Sequence, residues 1–173
     1  WAPPRGVGGL LALALALAAP LGASAQRQQA PAPIEGARPA PTAPAVAPAT
    51  PAAPAVTRAT ASDETAILDA INMLRAAESL GPLINHAGLT EAARRHSAEM
   101  AQAHTLAHVS PTTGSPADRA SAAGVRASRV TQNISRRPTA MAAHEAILAS
   151  EAHRAQLLDP NATHIGVGLA PGE

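Results

Sequence analysis

The 173-residue chain contains no cysteine, lysine, phenylalanine or tyrosine, and its one tryptophan is Trp1. Without cysteine there are no disulfides, no lipid-bearing cysteine and no thiol nucleophile. Without rings past the first residue, a core must be built from Leu, Ile, Val, Ala and Met, and it lacks the large buried area that aromatics supply. The same gap argues against nucleic acid as a partner, because such binders combine a basic face with stacking rings. All 13 basic side chains are arginine, and with so much alanine and proline this is the composition of a GC-rich bacterial coding sequence. The formal net charge is +1, yet from residue 62 onward nine arginines meet eleven acidic residues. Five of those arginines fall between Arg119 and Arg137. They read as a solvated loop rather than an anion-binding patch.

What is present divides into three parts. Residues 1–25 have the form of a secretory signal: Arg5 as the positive end, Leu10 to Ala19 as the apolar stretch, and Pro20-Leu21-Gly22 as a helix breaker. Ala23-Ser24-Ala25 follows as a small-x-small cleavage site, which predicts Gln26 as the mature start. The apolar stretch is shorter than the roughly 20 residues that span a bilayer. Membrane attachment is therefore expected only if the signal stays uncleaved. Residues 26–61 form a linker, with eight prolines and twelve alanines in the 35 residues 26–60. Proline at that density removes backbone donors and forbids a continuous helix, so the stretch is expected to be an extended tether reaching roughly 100 Å. Residues 62–173 remain as one folded domain. The chain lacks an initial Met and stops at Pro171-Gly172-Glu173 just after a strand-like run, so either end could be cut.

Within the domain, Ser62 or Asp63 can cap a helix carrying Ile67, Leu68, Ile71 and Leu74, with a stop at Leu80-Gly81-Pro82. Leu83-Ile84 suits a short strand. The spacing predicts a second helix from Thr90 to His104, with Ala93, Ser97, Met100 and Ala101 facing inward. A loop over 109–117, a short helix over 118–123 and a helix over 139–149 follow. A turn at 153–158 then leads to a strand from Thr163 to Leu169. Gly166 and Gly168 in that strand suit close approach of another backbone. The order of elements indicates an α+β fold.

Seven histidines lie in the domain, at 86, 96, 104, 108, 144, 153 and 164. His104 and His108 would share a face if the second helix ran that far, but one such pair is a weak metal signal. The other isolated histidines read as surface or boundary residues. Three blocks are more informative: Leu106-Ala107-His108-Val109-Ser110-Pro111 with Gly114 to Arg119 and Ala122-Ala123-Gly124; Gln132-Asn133-Ile134; and Ser150 to Leu158 with Ile165-Gly166-Val167-Gly168. In that order and spacing they resemble the CAP superfamily, in particular the bacterial SCP-like domain, related to cysteine-rich secretory proteins, antigen 5 and plant pathogenesis-related class 1 proteins. The resemblance covers residues 64–170.

The resemblance implies a three-layer α-β-α sandwich with a small antiparallel sheet. It also implies a family strand after Gly168, for which only five residues remain here, so the strand ending there is expected to have an unpaired edge. It implies a cleft lined by two histidines, His108 and His153, and in many members by two glutamates. Here Gln132, beside Asn133, and Ser150 stand where those acids would be. Leu106 replaces a usual aromatic, and Glu151-Ala152 replaces Pro-Gly. Gln132 has no useful basicity near neutral pH, and Glu145 and Glu151 are the remaining acids that could substitute. His108 and His153 are thus expected to hold a divalent metal such as zinc only weakly, and no catalytic residue is assigned. A Ser150–His153 nucleophile pair lacks an orienting acid, and Ser150 is better read as a helix cap. The expected function is a secreted, non-enzymatic module that binds an extracytoplasmic small molecule or protein. A lipid or other apolar ligand is among the family's possibilities. The alternatives are a metal-dependent hydrolase at His108 and His153, or a degenerate domain with a structural role on its tether.

Overall fold

The computed structural model describes residues 9–17 and 58–171. The expected cleavage site and most of the expected tether lie outside them. The elements run β1 (Gly9–Leu17), α1 (Arg58–Ala77), β2 (Ile84–Asn85), α2 (Ala87–Gln102), α3 (Pro116–Ala122), β3 (Arg129–Arg137), α4 (Ala140–Leu148), α5 (Glu151–Leu157) and β4 (His164–Pro171). The sheet order is β2-β4-β1-β3, with β1 antiparallel to both β3 and β4 and β2 parallel to β4.

β4 shows how the layers are made. Its odd residues Ile165, Val167 and Leu169 enter one core with Ile67 and Ile71 of α1, Ala143 and Ile147 of α4, and Leu157 of α5. Its even residues Gly166 and Gly168 lie under α2, so close that a Cβ on either would meet helix backbone atoms at 2.2 Å. Strand alternation thus gives one thick aliphatic face and one face on which a helix lies almost against the sheet. α3 adds Ala120 to a smaller cluster with Leu89 of α2. The result is the three-layer α-β-α sandwich that the resemblance implied.

Helix ends depart from the sequence reading in instructive ways. α1 starts at Arg58, so Ser62 and Asp63 lie inside it and cap nothing. The last proline ahead of α1 is Pro54, and no proline follows it before the helix to limit its backward extension. α1 stops before Gly81-Pro82, because Ser79 takes a left-handed conformation (φ 59°) and the amides of Ser79 and Leu80 bond back to Ala76 and Arg75. α2 ends at Gln102 by the same motif: His104 has φ 51°, with His104 and Thr105 amides on the carbonyls of Ala101 and Met100. His104 and His108 are therefore not on one helix face. α3 begins earlier than expected, at Pro116, because Ser115 and Asp118 form a reciprocal capping box.

Two further expectations change. The arginine-rich stretch 129–137, read as a loop, is strand β3. β4 is paired along its length by β1 on one side, but on the other β2 reaches only His164 and Ile165, so among the described residues that edge carries no strand beyond Ile165, and β1 stands where the further strand was expected. β1 is the central part of the apolar run read as a leader. Its Leu/Ala alternation has the period of a strand as well as the hydrophobicity of a signal core. Among the described residues, no helix is long and apolar enough to cross a membrane.

Candidate functional site

β3 is an edge strand, and consecutive residues on it serve opposite faces of the sheet. Gln132 is buried, and its Oε1 is 3.1 Å from His108 Nδ1 and accepts a hydrogen bond from Arg119 at 3.2 Å. Asn133 is also buried, but its amide donates to the main-chain carbonyl of His153 at 3.1 Å. Gln132 therefore fixes a histidine side chain, whereas Asn133 fixes the backbone that carries the other histidine.

The donor geometry sets the tautomer of His108. A guanidinium can only donate, so the Gln132 atom facing Arg119 must be the oxygen. That oxygen can only accept, so His108 Nδ1 must carry the proton, leaving Nε2 with a free lone pair. The amide thus holds the His108 tautomer without a carboxylate. Its oxygen has two donors already, which removes it from the set of available metal ligands.

Arg119 is the hub of this side. It is 7% exposed, and it also donates to the carbonyls of His108 at 2.8 Å and Gly114 at 2.6 Å, closing the loop between α2 and α3. Burial holds its guanidinium below the ordinary arginine value, with Glu99 and Asp118 opposing that trend. Glu99 binds the same loop from α2: it accepts hydrogen bonds from the hydroxyls of Ser110, Thr112 and Thr113. Burial raises its carboxyl, but those three donors outweigh it and hold the group below the usual glutamate range. His96, one helical turn earlier, bonds the carbonyl of Ala107 through Nε2 at 2.9 Å, and its Nδ1 lies 3.7 Å from Glu99. His96 and His144 are 1% and 2% exposed, not boundary residues as expected, and burial pushes both below the ordinary imidazole value. The sequence signal for this network was His96-x-x-Glu99 on a helix ahead of a Ser/Thr-rich loop.

On the other side, Leu106, Ile134, Ala146, Ile147, Ser150 and His153 line a groove of about 250 Å³ together with Arg136 and Arg137. Ser150 occupies the N-cap position of α5 but makes no capping hydrogen bond, so its hydroxyl remains for the groove. His108 is not among the lining side chains. Nor are Glu145 and Glu151, both exposed on their helices. The arrangement joins Gln132 to His108 and Asn133 to His153, and it places Ser150 and His153 in a groove that has no carboxylate. Among the described residues, no three His, Asp or Glu side chains converge to hold a metal ion.

Comparison with known proteins agrees with this fold. An uncharacterised protein YkwD of Bacillus subtilis is 33% identical over 127 residues, 73% of this chain and 49% of the relative. An uncharacterised membrane protein YlbC of the same organism is 35% identical over 109 residues, 62% of this chain and 32% of that protein. The chain thus spans about half, or a third, of the length of these relatives. A 1.5 Å crystal structure of an extracellular SCP-domain protein from Bacillus anthracis superposes with a TM-score of 0.61 at 28% identity, covering 66% of this chain and 41% of that one. The family described as "CAP: Cysteine-rich secretory protein family" matches residues 68–173, and the chain belongs to it.

Proposed function

We propose that the domain is a non-enzymatic binding module acting outside the cytoplasm, whose ligand is a small amphiphile with an apolar body and an acidic head. The observation that carries this reading is the lining of the groove. Leu106, Ile134, Ala146 and Ile147 offer aliphatic surface, while Ser150, His153, Arg136 and Arg137 in the same lining offer donors and positive charge, Arg136 also donating to the carbonyls of Met100 and Thr105. With Ser135 also in the lining, aliphatic and polar side chains are about equal in number, a mixture that suits an amphiphile better than a wholly apolar molecule. Export of the module rests on the signal-like N-terminus and on the extracellular nature of the similar Bacillus anthracis protein.

Titration calorimetry with decanoate, decanol and decylamine tests the assignment. Decanoate is expected to bind most tightly and decylamine least. Leu106, 50% exposed, can be changed without disturbing the core. Leu106→Glu is expected to abolish decanoate binding with the melting curve unchanged. Equal binding of all three probes, or decanoate binding unaffected by Leu106→Glu, would overturn the reading.

The hydrolase alternative draws on a different observation, the free Nε2 of His108 on an exposed loop. A single imidazole lone pair is one ligand of the three or four that a catalytic zinc needs. The oxygen of Gln132 is already held by His108 and Arg119. The structure therefore supports binding more than it supports metal chemistry.

A further inference from the structure

The main-chain groups on the β2 side of β4 are used unevenly. Ile84 donates to the carbonyl of Thr163 at 2.9 Å, and His86 to that of Ile165 at 2.8 Å. The N–H and C=O of one strand residue face the same edge, and the edge alternates along the strand. Those of Val167 and Leu169 therefore face this side as well. β2 pairs only as far as Ile165, after which the chain turns into α2. The Leu169 amide is taken by Glu64 Oε1 at 3.1 Å, a carboxylate in the place of a strand carbonyl. Between these two positions, the N–H and C=O of Val167 have no partner among the described residues. Val167 is 3% exposed, and buried main-chain groups are seldom left unpaired.

At this gap Val167 lines a cavity of about 140 Å³ together with Ala61, Thr65 and Leu68 of α1, Asn85 of β2 and Arg94 of α2. We propose that the cavity is a second small-molecule site whose ligand is a neutral molecule with an amide edge, a lactam or a primary carboxamide. Such an edge carries an acceptor and a donor side by side, the complement of one strand residue. The cavity shares no lining residue with the groove of Leu106 and His153, so the assignment is independent of the ligand proposed there.

The walls set the size and charge of the ligand. Glu64, itself 6% exposed, receives Arg94 through Nε and Nη2 as well as the Leu169 amide, and this closes the row after Val167. A whole strand cannot continue the ladder past that pair, but one amide can fill the single unpaired step. Arg94 is neutralised by Glu64, so an ionised ligand finds no unmatched charge. Asn85 Oδ1 accepts the Thr90 hydroxyl at 2.7 Å, which leaves its Nδ2 as a donor, and Arg94 keeps Nη1. Donors beside the Val167 amide suit a carbonyl oxygen, which has two lone pairs. Leu68 and Ala61 offer apolar contact to the body of the ligand.

Proton–nitrogen NMR of the full chain tests this with two probes. One is 2-pyrrolidinone, a lactam; the other is N-methyl-2-pyrrolidinone, with the same ring and carbonyl but no N–H. The lactam is expected to shift the Val167 amide proton downfield and saturably, with a Kd on the order of millimolar for so small a ligand. The amides of Ile134 and Ile147, in the other groove, should not move. The N-methyl compound should bind at least about tenfold more weakly. Thr65 is exposed at the cavity wall, and Thr65→Trp is expected to block the opening and remove the shifts while melting with the parent. If that variant does not fold, the two probes on the parent still decide. The proposal is overturned if neither probe shifts Val167, if both bind equally, or if folded Thr65→Trp binds the lactam as the parent does.

Discussion

Gly166→Ala tests the closest packing in the molecule. The added methyl would lie 2.2 Å from the carbonyl carbon of Leu89, 2.3 Å from the amide nitrogen of Thr90 and 2.5 Å from Leu89 Cβ. Carbon atoms rest at about 3.5–4.0 Å, so α2 would have to rise by more than about 1 Å. Two of these three contacts are helix backbone, and no rotamer change relieves them. Lifting α2 would loosen Leu89, Ala93, Ser97 and Met100, all buried, and would pull Ser97 Oγ from the carbonyl of Gly168, now 2.8 Å away. Overpacking commonly costs about 1–3 kcal/mol, and a rigid backbone contact belongs at or above the upper end. At about 4 °C per kcal/mol for a domain of this size, the midpoint should fall by about 12 °C or more. Far-ultraviolet circular dichroism is the suitable assay, because residues 62–173 contain no Phe, Tyr or Trp. Gly81→Ala is the control: a Cβ there meets nothing within 4 Å, and the effect should stay within about 1 kcal/mol. The reasoning fails if Gly166→Ala melts with the parent, or if Gly81→Ala falls as far.

Three other outcomes follow from the same geometry. Arg75, 1% exposed, donates to the carbonyls of Gly81, Leu157, Asp159 and Ala162. Arg75→Met leaves these acceptors unpaired and should cost at least about 3 kcal/mol in urea unfolding, with Arg75→Lys restoring only part. His96, His144 and Glu99 all have pKa values below their ordinary ranges in the folded protein. The unfolded chain therefore binds more protons, so stability should fall as the pH drops below about 6.5 and again through the carboxylate range. His144→Leu should flatten the first of these steps, and a midpoint constant from pH 8 to pH 5 would refute the assignment. Zinc should bind the natural protein weakly. Gln132→Glu keeps the acceptor for His108 Nδ1 and adds charge, so affinity should rise about tenfold, roughly 1.4 kcal/mol, and His108→Ala in that background should remove the gain. Calorimetry showing tight binding by the natural protein would revive the metal reading.

Much of the fold was legible because helical periodicity and stop signals are local. Ile67, Leu68 and Ile71 located α1, and Gly166 and Gly168 announced a close helix. What escaped was set by non-local partners or by unlikely residues in special conformations. β3 escaped because its outer residues are arginines, and charge on an edge strand looks like a loop when no neighbouring strand is known. Ser79 and His104 end helices in left-handed conformations usually taken by glycine, and no one-dimensional pattern marks them. β1 is ambiguous for a physical reason: an alternating Leu/Ala run satisfies both a signal core and a doubly flanked strand.

The candidate site was legible in its residues and illegible in its wiring. Aligning His108, Gln132, Asn133, Ser150 and His153 with a family cleft presents them as a single set, but adjacency on β3 divides them. Gln132 and Asn133 point away from each other because a strand alternates, so one histidine is held by its ring and the other by its carbonyl. The loss of a carboxylate at 132 therefore does not leave His108 unsupported. Arg119 orients the amide, the amide orients the imidazole, and Glu99 fixes the loop that carries both His108 and the Arg119 acceptors. A carboxylate at 132 would add a negative charge that Arg119 must neutralise at a buried position. The neutral amide instead leaves the arginine's charge to Glu99 and Asp118, which face it from α2 and α3. That division of charge keeps His108 oriented without an acid beside it.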